Sequence, residues 1–355
     1  MEGQHCFWKW RSQVSRVKRT MPLIACFAVV LLALASYASA GGTFTVAAAG
    51  GSWGQVIKES LMQPFEEQHQ VSLKHDVKGN VQRLLAMVAN PGASGIDAVE
   101  VSGSRIALAV GNNVLEKLDP SKIPNYKFIP AAFKNEYWIG GLVCPLSIVY
   151  NSKYVTAEEA SSWDVLTNPK FKGRVGIPEY TWQGENWLHA VNLRYGGTYE
   201  NLTPGIEFAA KVMRNGGTII QSPDHGLKLF GAGSIWVAAF LTGRAMSPAG
   251  QAIPLQFTLV ENWWPLSPGF AIVKGTKDLN LAQEFVNASL APQYQMAMGR
   301  VAGCAPTSSE AELPDDLKHV AVPESALKKA AILDYGQMFK AGPVALERWN
   351  REVLQ

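Results

Sequence analysis

Charge is scarce in this chain: Asp, Glu, Lys and Arg make up 17% of its 355 residues, against 47% hydrophobic. That balance excludes a disordered polyelectrolyte and leaves enough apolar material for one or two full cores. Cysteine is rarer still, at four, so a disulfide-dense secreted scaffold is excluded. The six histidines are scattered, and none stands in metal-ligand spacing with Cys or an acid; His69 and His75 read as surface residues. No metal and no cofactor are expected. There is no low-complexity segment and no short-period repeat.

The longest apolar run, Pro22 to Ala35, falls short of the roughly 20 residues of a transmembrane helix. It follows Lys9, Arg11, Arg16, Lys18 and Arg19 and precedes Ala38-Ser39-Ala40. A basic region, an apolar region and small residues at a cleavage site predict a secretory leader over 1–40. Leu23 to Cys26 looks like a lipoprotein box, but most of the apolar run lies after it. Taking the leader's five basic and one acidic residue from the 32 and 29 of the whole chain turns a formal charge of +3 into −1. The basic character therefore belongs to the leader, and no Lys/Arg cluster in the mature part points to nucleic acid. Two cysteines remain, Cys144 and Cys304. An oxidising compartment permits a bridge between them, and two buried thiols are the alternative.

Beyond the leader, strands and helices alternate. Residues 43–49 predict a strand, and Val56, Ile57, Leu61 and Phe65 keep helical spacing. A strand over 71–77, a helical stripe at Val81, Leu84, Leu85 and Val88, and a strand over 96–101 complete a β-α-β-α-β order. Such an order implies a parallel sheet. A second series comes next: a strand over 174–178, helices over 185–194 and 203–215, and strands over 218–221, 234–240 and 254–260. Two α/β units suggest two lobes and a cleft, with ligands beyond the carboxyl ends of strands. The strand-to-helix turns "GGSWG", "VSGSR", "PEYTWQGE", "QSPDHG" and "FLTGRA" are then the places to look for a site.

With "GGSWGQVIKESLMQPFEEQ", "DAVEVSGSRIALAVGNNVLEKLD", "SSWDVLTNPKFKGRVGIPE" and "GFAIVKGTKDLNLAQEFVNASLAPQYQ" in this order, the mature chain resembles the spermidine/putrescine-type extracellular solute-binding proteins of bacterial ABC importers. The resemblance implies an α/β, two-lobed type II periplasmic-binding-protein fold with hinge strands and a central ligand cleft. Lobe 1 would comprise 43–143 plus 267–305, and lobe 2 would comprise 148–262 plus 309–355. Crossings would fall near 144–147, 263–266 and 304–307, and the lobes would close over one solute. The implied setting is the periplasm, with a small-molecule solute and a cognate ABC permease of the inner membrane as partners, no nucleic acid, and a monomeric chain.

Seven residues are the expected ligand contacts. Ser52 and Trp53 stand in the first turn, where amides and a hydroxyl suit an oxygen ligand and the resemblance implies an aromatic wall. Arg105 falls where polyamine binders place a tyrosine. Trp182 and Glu185 match two acidic positions, so Glu185 conforms and Trp182 departs; Glu185 would face an ammonium group or support its own helix. Arg244 lies in "FLTGRA". Trp264 would line the cleft while Trp263 packs. The amine-gripping Trp and Asp of polyamine binders correspond to Leu266 and Pro268. Losing acids while gaining arginines argues against a polycation and for a compact solute with an anionic group, whose amine, if present, meets Glu185.

A true polyamine binder and a receptor-coupled sensor are the alternatives within this class. No Tyr-Tyr pair occurs, which sets aside the iron-binding branch of the fold. Catalysis is not expected: the sole candidate nucleophile, Cys144, has no evident activating base.

Overall fold

The computed structural model describes residues 43–355 apart from Gly79; the leader expected over 1–40 lies outside the described residues. No helix among them is long and apolar enough to cross a membrane.

The first sheet joins β1 (Phe44–Ala47), β2 (Leu73–Asp76), β3 (Ala98–Val101), β4 (Ile139–Gly140) and β11 (Gly269–Ile272) in the order β2-β1-β3-β11-β4. β1 runs parallel to β2 and β3, whereas β11 is antiparallel to β3 and β4. Every residue of β1 is buried, because helices cover both faces and a strand so placed must be apolar throughout. Phe44, Val46, Ala98, Phe270 and Phe285 fill one side; Ala47, Val99, Val101, Ile106 and Trp138 fill the other.

The second sheet is built on β5 (Leu142–Asn151), ten residues long and buried from end to end. With β6 (Val175–Pro178), β7 (Thr218–Ile220), β8 (Val237–Leu241) and β10 (Trp264–Leu266) the order is β10-β5-β8-β6-β7, and β9 (Leu255–Thr258) and β12 (Ala305–Pro306) also pair with β5. The chain passes between the sheets from β4 to β5, returns from β10 to β11, and comes back at β12 against Val143 and Leu142. Cys144 and Cys304 form a disulfide at this junction, 160 residues apart in sequence. Closing so long a loop limits the unfolded chain and stabilises the fold by about 2–4 kcal/mol.

The helices that pack around these sheets and position the space between them are α1 (Gly51–Ile57), α2 (Ser104–Gly111), α3 (Glu185–Arg194), α4 (Thr203–Arg214), α5 (Leu279–Ser289), α6 (Pro292–Ala302) and α7 (Tyr335–Arg348). Asp278 caps α5 by accepting from Leu281 N at 2.9 Å, and Pro292 opens α6 where a missing N–H costs nothing. The terminal α7 packs against both α2 of the first unit and α3 of the second, and the turn after it rests on α4. One expected helix is cut short. The stripe through Val88 is helical only over Val81–Leu85, since Asn90-Pro91-Gly92 forces the chain into turns and leaves Val88 exposed.

Candidate functional site

A cavity of about 680 Å³ opens between the two units. It is walled by Ser104 and Arg105 at the start of α2, by Tyr180 and Glu185 around the start of α3, and by Phe339 and Lys340 of α7. The three helices bring these residues from different parts of the chain. The turns after β3 and β6 deliver the first two sets, as expected of strand carboxyl ends. Lys340 arrives by tertiary packing alone.

The two units touch here. Ser104 N donates to Asn186 Oδ1 at 3.0 Å, across 82 residues of sequence. Gly103 permits that approach with φ +57°, and its α-carbon has room for no side chain beside Asn186. Asn186 is itself buried and held by Gln183 Oε1 at 3.3 Å.

Electrostatically the cavity is mixed. Arg105 and Lys340 are both exposed, and neither forms an ion pair among the described residues. Glu185 lies opposite, beside the hydroxyls of Ser104 and Tyr180 and close to Gly342. Burial raises its pKa above the usual carboxylate range, and the two hydroxyls only partly offset this. Desolvation and the neighbouring carboxylate push the Tyr180 hydroxyl upward as well.

A carboxylate with a raised folded pKa binds its proton more tightly in the native state. Its stability penalty is absent in acid and develops as pH rises through the raised pKa. Glu185→Gln is therefore expected to raise the melting temperature of the empty protein near pH 7, with the difference closing toward about pH 4. Scanning calorimetry of both proteins across that range checks it; a mutant that melts lower at neutral pH would mean that the hydroxyl contacts outweigh burial.

The other expected contacts are distributed around this cavity rather than all within it. Trp53 is half-buried on α1, and its Nε1 donates to Glu100 Oε1 at 2.7 Å. Ser52, beside it, is exposed. Trp182 packs edge-on against Phe240, 6.1 Å between ring centroids, within the second unit. Arg244 is not a free cation: it is bonded to Asp224. Trp264 is fully buried and pairs with Leu146 of β5. With Trp138, Ser267 and Tyr335 it lines a void of only about 20 Å³. Trp263 is equally buried, and its Nε1 donates to Ala326 O at 2.9 Å. What covers the indole pair in this structure is the chain's own segment 326–335.

Three residues at the cavity or its contact were not among the expected contacts, Tyr180, Asn186 and Lys340, nor was Glu100, which holds Trp53. Glu100 had a signal, the one acid inside the strand "AVEV", one position before it ends. Asn186 and Lys340 had none, since only tertiary packing brings them to α2. Cys144, the one candidate nucleophile, is tied up in its disulfide. No group of three His, Cys, Asp or Glu among the described residues could hold a metal ion. His189, on α3, is buried neutral with its pKa pushed down to about 4 by desolvation.

A family model of bacterial extracellular solute-binding proteins matches residues 60–340. The chain is 26% identical over 280 residues to the gamma-aminobutyric acid-binding protein of Pseudomonas aeruginosa, covering 74% of this chain and 77% of that one. Among solved structures, an ABC transporter protein from Clostridium perfringens superposes with a TM-score of 0.73 at 22% identity, covering 87% of this chain and 99% of its own. The Atu4243-GABA receptor superposes with a TM-score of 0.74 at 21% identity, covering 87% and 97%. At these identities the structures share the two-lobed fold.

Proposed function

The chain belongs to the bacterial extracellular solute-binding proteins, and from that premise we propose that it captures a compact zwitterionic solute, an amino acid of the γ-aminobutyric class, for an ABC permease of the inner membrane. The observation that carries this reading is the charge pattern of the cavity. Arg105 and Lys340, neither in an ion pair among the described residues, face a half-buried carboxylate across one opening between the units. A polycation would meet both cations unfavourably, and a dianion would meet Glu185. A solute with one carboxylate and one amine satisfies both walls. The relative from Pseudomonas aeruginosa, named for such a solute, supports the same class.

Export fits the same picture. The basic and apolar segment over 1–40 is a leader by its composition, and a disulfide at the junction of the sheets suits an oxidising periplasm.

The test is titration calorimetry of the mature protein with γ-aminobutyrate, shorter and longer ω-amino acids, putrescine and a dicarboxylate. γ-Aminobutyrate or a close homologue is expected to bind best. Arg105→Ala is expected to weaken it by about ten- to a hundredfold, since a charge-assisted hydrogen bond contributes roughly 1.5–3 kcal/mol. The empty mutant should melt with the wild type, because an exposed arginine supports little packing. Tight putrescine binding that survives Arg105→Ala would overturn the reading.

A further inference from the structure

Glu100 stands on β3 opposite Phe270 of β11, between Val99 and Val101, both buried in the core. Packing does not call for a carboxylate there. Two N–H groups clamp it: Trp53 Nε1 donates to Oε1 at 2.7 Å, and Ala49 N donates to Oε2 at 3.1 Å. Each oxygen keeps a lone pair for a further donor. Among the described residues no Lys, Arg or His forms an ion pair with it; Arg105 reaches it only through longer-range charge. Burial accordingly raises its pKa, and the two N–H bonds lower it by less. Drawing a carboxylate out of water costs several kcal/mol, and two neutral donors return only part of that. The result is a half-buried, oriented carboxyl group with no bonded counter-cation among the described residues.

Trp53 is the second half of the arrangement. Its N–H is committed to Glu100, which fixes the plane of the ring. A carboxylate bonded to that N–H also polarises the indole toward greater negative charge on its face, where a cation is attracted. Arg105 links this pair to the cavity between the units, since it walls the cavity and its charge is felt at Glu100.

Resting on the zwitterion reading, we propose that Glu100, with the Trp53 ring it holds, is a second ammonium-recognising element of the site, and that it shares with Glu185 the selection for the amine of an ω-amino acid. Glu185 differs in its partners: two hydroxyls of the protein stand beside it, whereas two N–H groups hold Glu100.

The experiment is calorimetric titration of γ-aminobutyrate into the wild type, Glu100→Gln, Glu185→Gln and Trp53→Phe, with a melting curve of each empty protein. Glu100→Gln keeps the shape and one acceptor but removes the charge. It is expected to weaken binding by about ten- to a hundredfold while melting no lower than the wild type, the reverse of a structural role. Glu185→Gln takes its charge from the cavity wall and is expected to weaken binding as well, by roughly three- to tenfold. Trp53→Phe keeps a ring and deletes the donor, and is expected to lose roughly three- to tenfold, the range of a neutral hydrogen bond. Should Glu100→Gln melt early, Trp53→Phe still decides: unchanged binding overturns the proposal. So does a well-folded Glu100→Gln that binds as the wild type does, and in that case the zwitterion reading stands. A wild type that binds no ω-amino acid at all overturns both together, which is a different pattern.

Discussion

Trp263→Ala is expected to destabilise the empty protein by about 3–5 kcal/mol, the range for truncating a fully buried large aromatic. For a domain of this size that corresponds to a melting temperature lower by roughly 5–10 °C. Three attachments explain the size of the effect. The ring is fully buried, its Nε1 donates to Ala326 O at 2.9 Å, and the Trp263 carbonyl accepts from Ala331 N at 2.8 Å. It therefore fastens segment 326–331, whose continuation is α7, to the end of the second sheet. The preceding Asn262 reinforces this: at φ 58° it turns the chain tightly, and its N–H donates to Lys329 O at 2.8 Å. Loss of the ring leaves a cavity and also loosens the segment that carries α7. Thermal denaturation of the mutant checks the cost. A loss under about 1 kcal/mol would mean that the segment collapses into the space. Ligand affinity of the folded fraction should change little, because Trp263 does not wall the cavity.

That Trp-Trp pair marks where the sequence stops being informative. Indoles flanked by prolines need a cover, and the crossing near 263–266 is where β10 leaves the second sheet for β11. What supplies the cover is segment 326–335, far along the chain and weak in its own pattern, and no local periodicity joins the two. The parallel units were legible because β1, β3 and β6 are short apolar runs punctuated by glycine and helix starts, so that burial on both faces leaves its trace in composition. At the site the same division holds. Arg105 and Glu185 could be located because each follows a strand by a fixed turn. Arg244 follows a strand in the same way, yet its charge is met by Asp224, 20 residues earlier and on another turn. A turn places a side chain; it does not disclose the partner waiting for it. Lys340 and Asn186 belong to that second kind of fact.

Gly103 shows how sharply the contact between units can be tested. Its backbone sits at φ 57°, ψ −139°, a conformation that residues with a Cβ rarely adopt. A methyl group there would lie 2.8 Å from Asn186 Oδ1 and 2.9 Å from its Nδ2. Asn186 has little freedom to move away, being buried, bonded to Gln183 and itself the acceptor for Ser104 N. Gly103→Ala therefore carries two costs. Backbone strain of about 1–3 kcal/mol acts whether or not the units touch, and lowers the melting temperature. Overpacking of about 1–3 kcal/mol acts only when they touch. If solute binding requires them together, the second cost falls on affinity, a loss of roughly 5- to 150-fold. The two are separable by a double-mutant cycle. Asn186→Ala alone removes the hydrogen bond from Ser104 N that joins the units, along with its bond to Gln183, and should weaken binding modestly, by about 0.5–1.5 kcal/mol. In Gly103→Ala/Asn186→Ala the methyl has space, so affinity should recover above that of Gly103→Ala while the strained backbone still depresses the melting temperature. Affinities that simply add within about 0.5 kcal/mol would show that α2 and α3 are apart when solute is bound, and closure over the ligand would then have to occur elsewhere along the cleft.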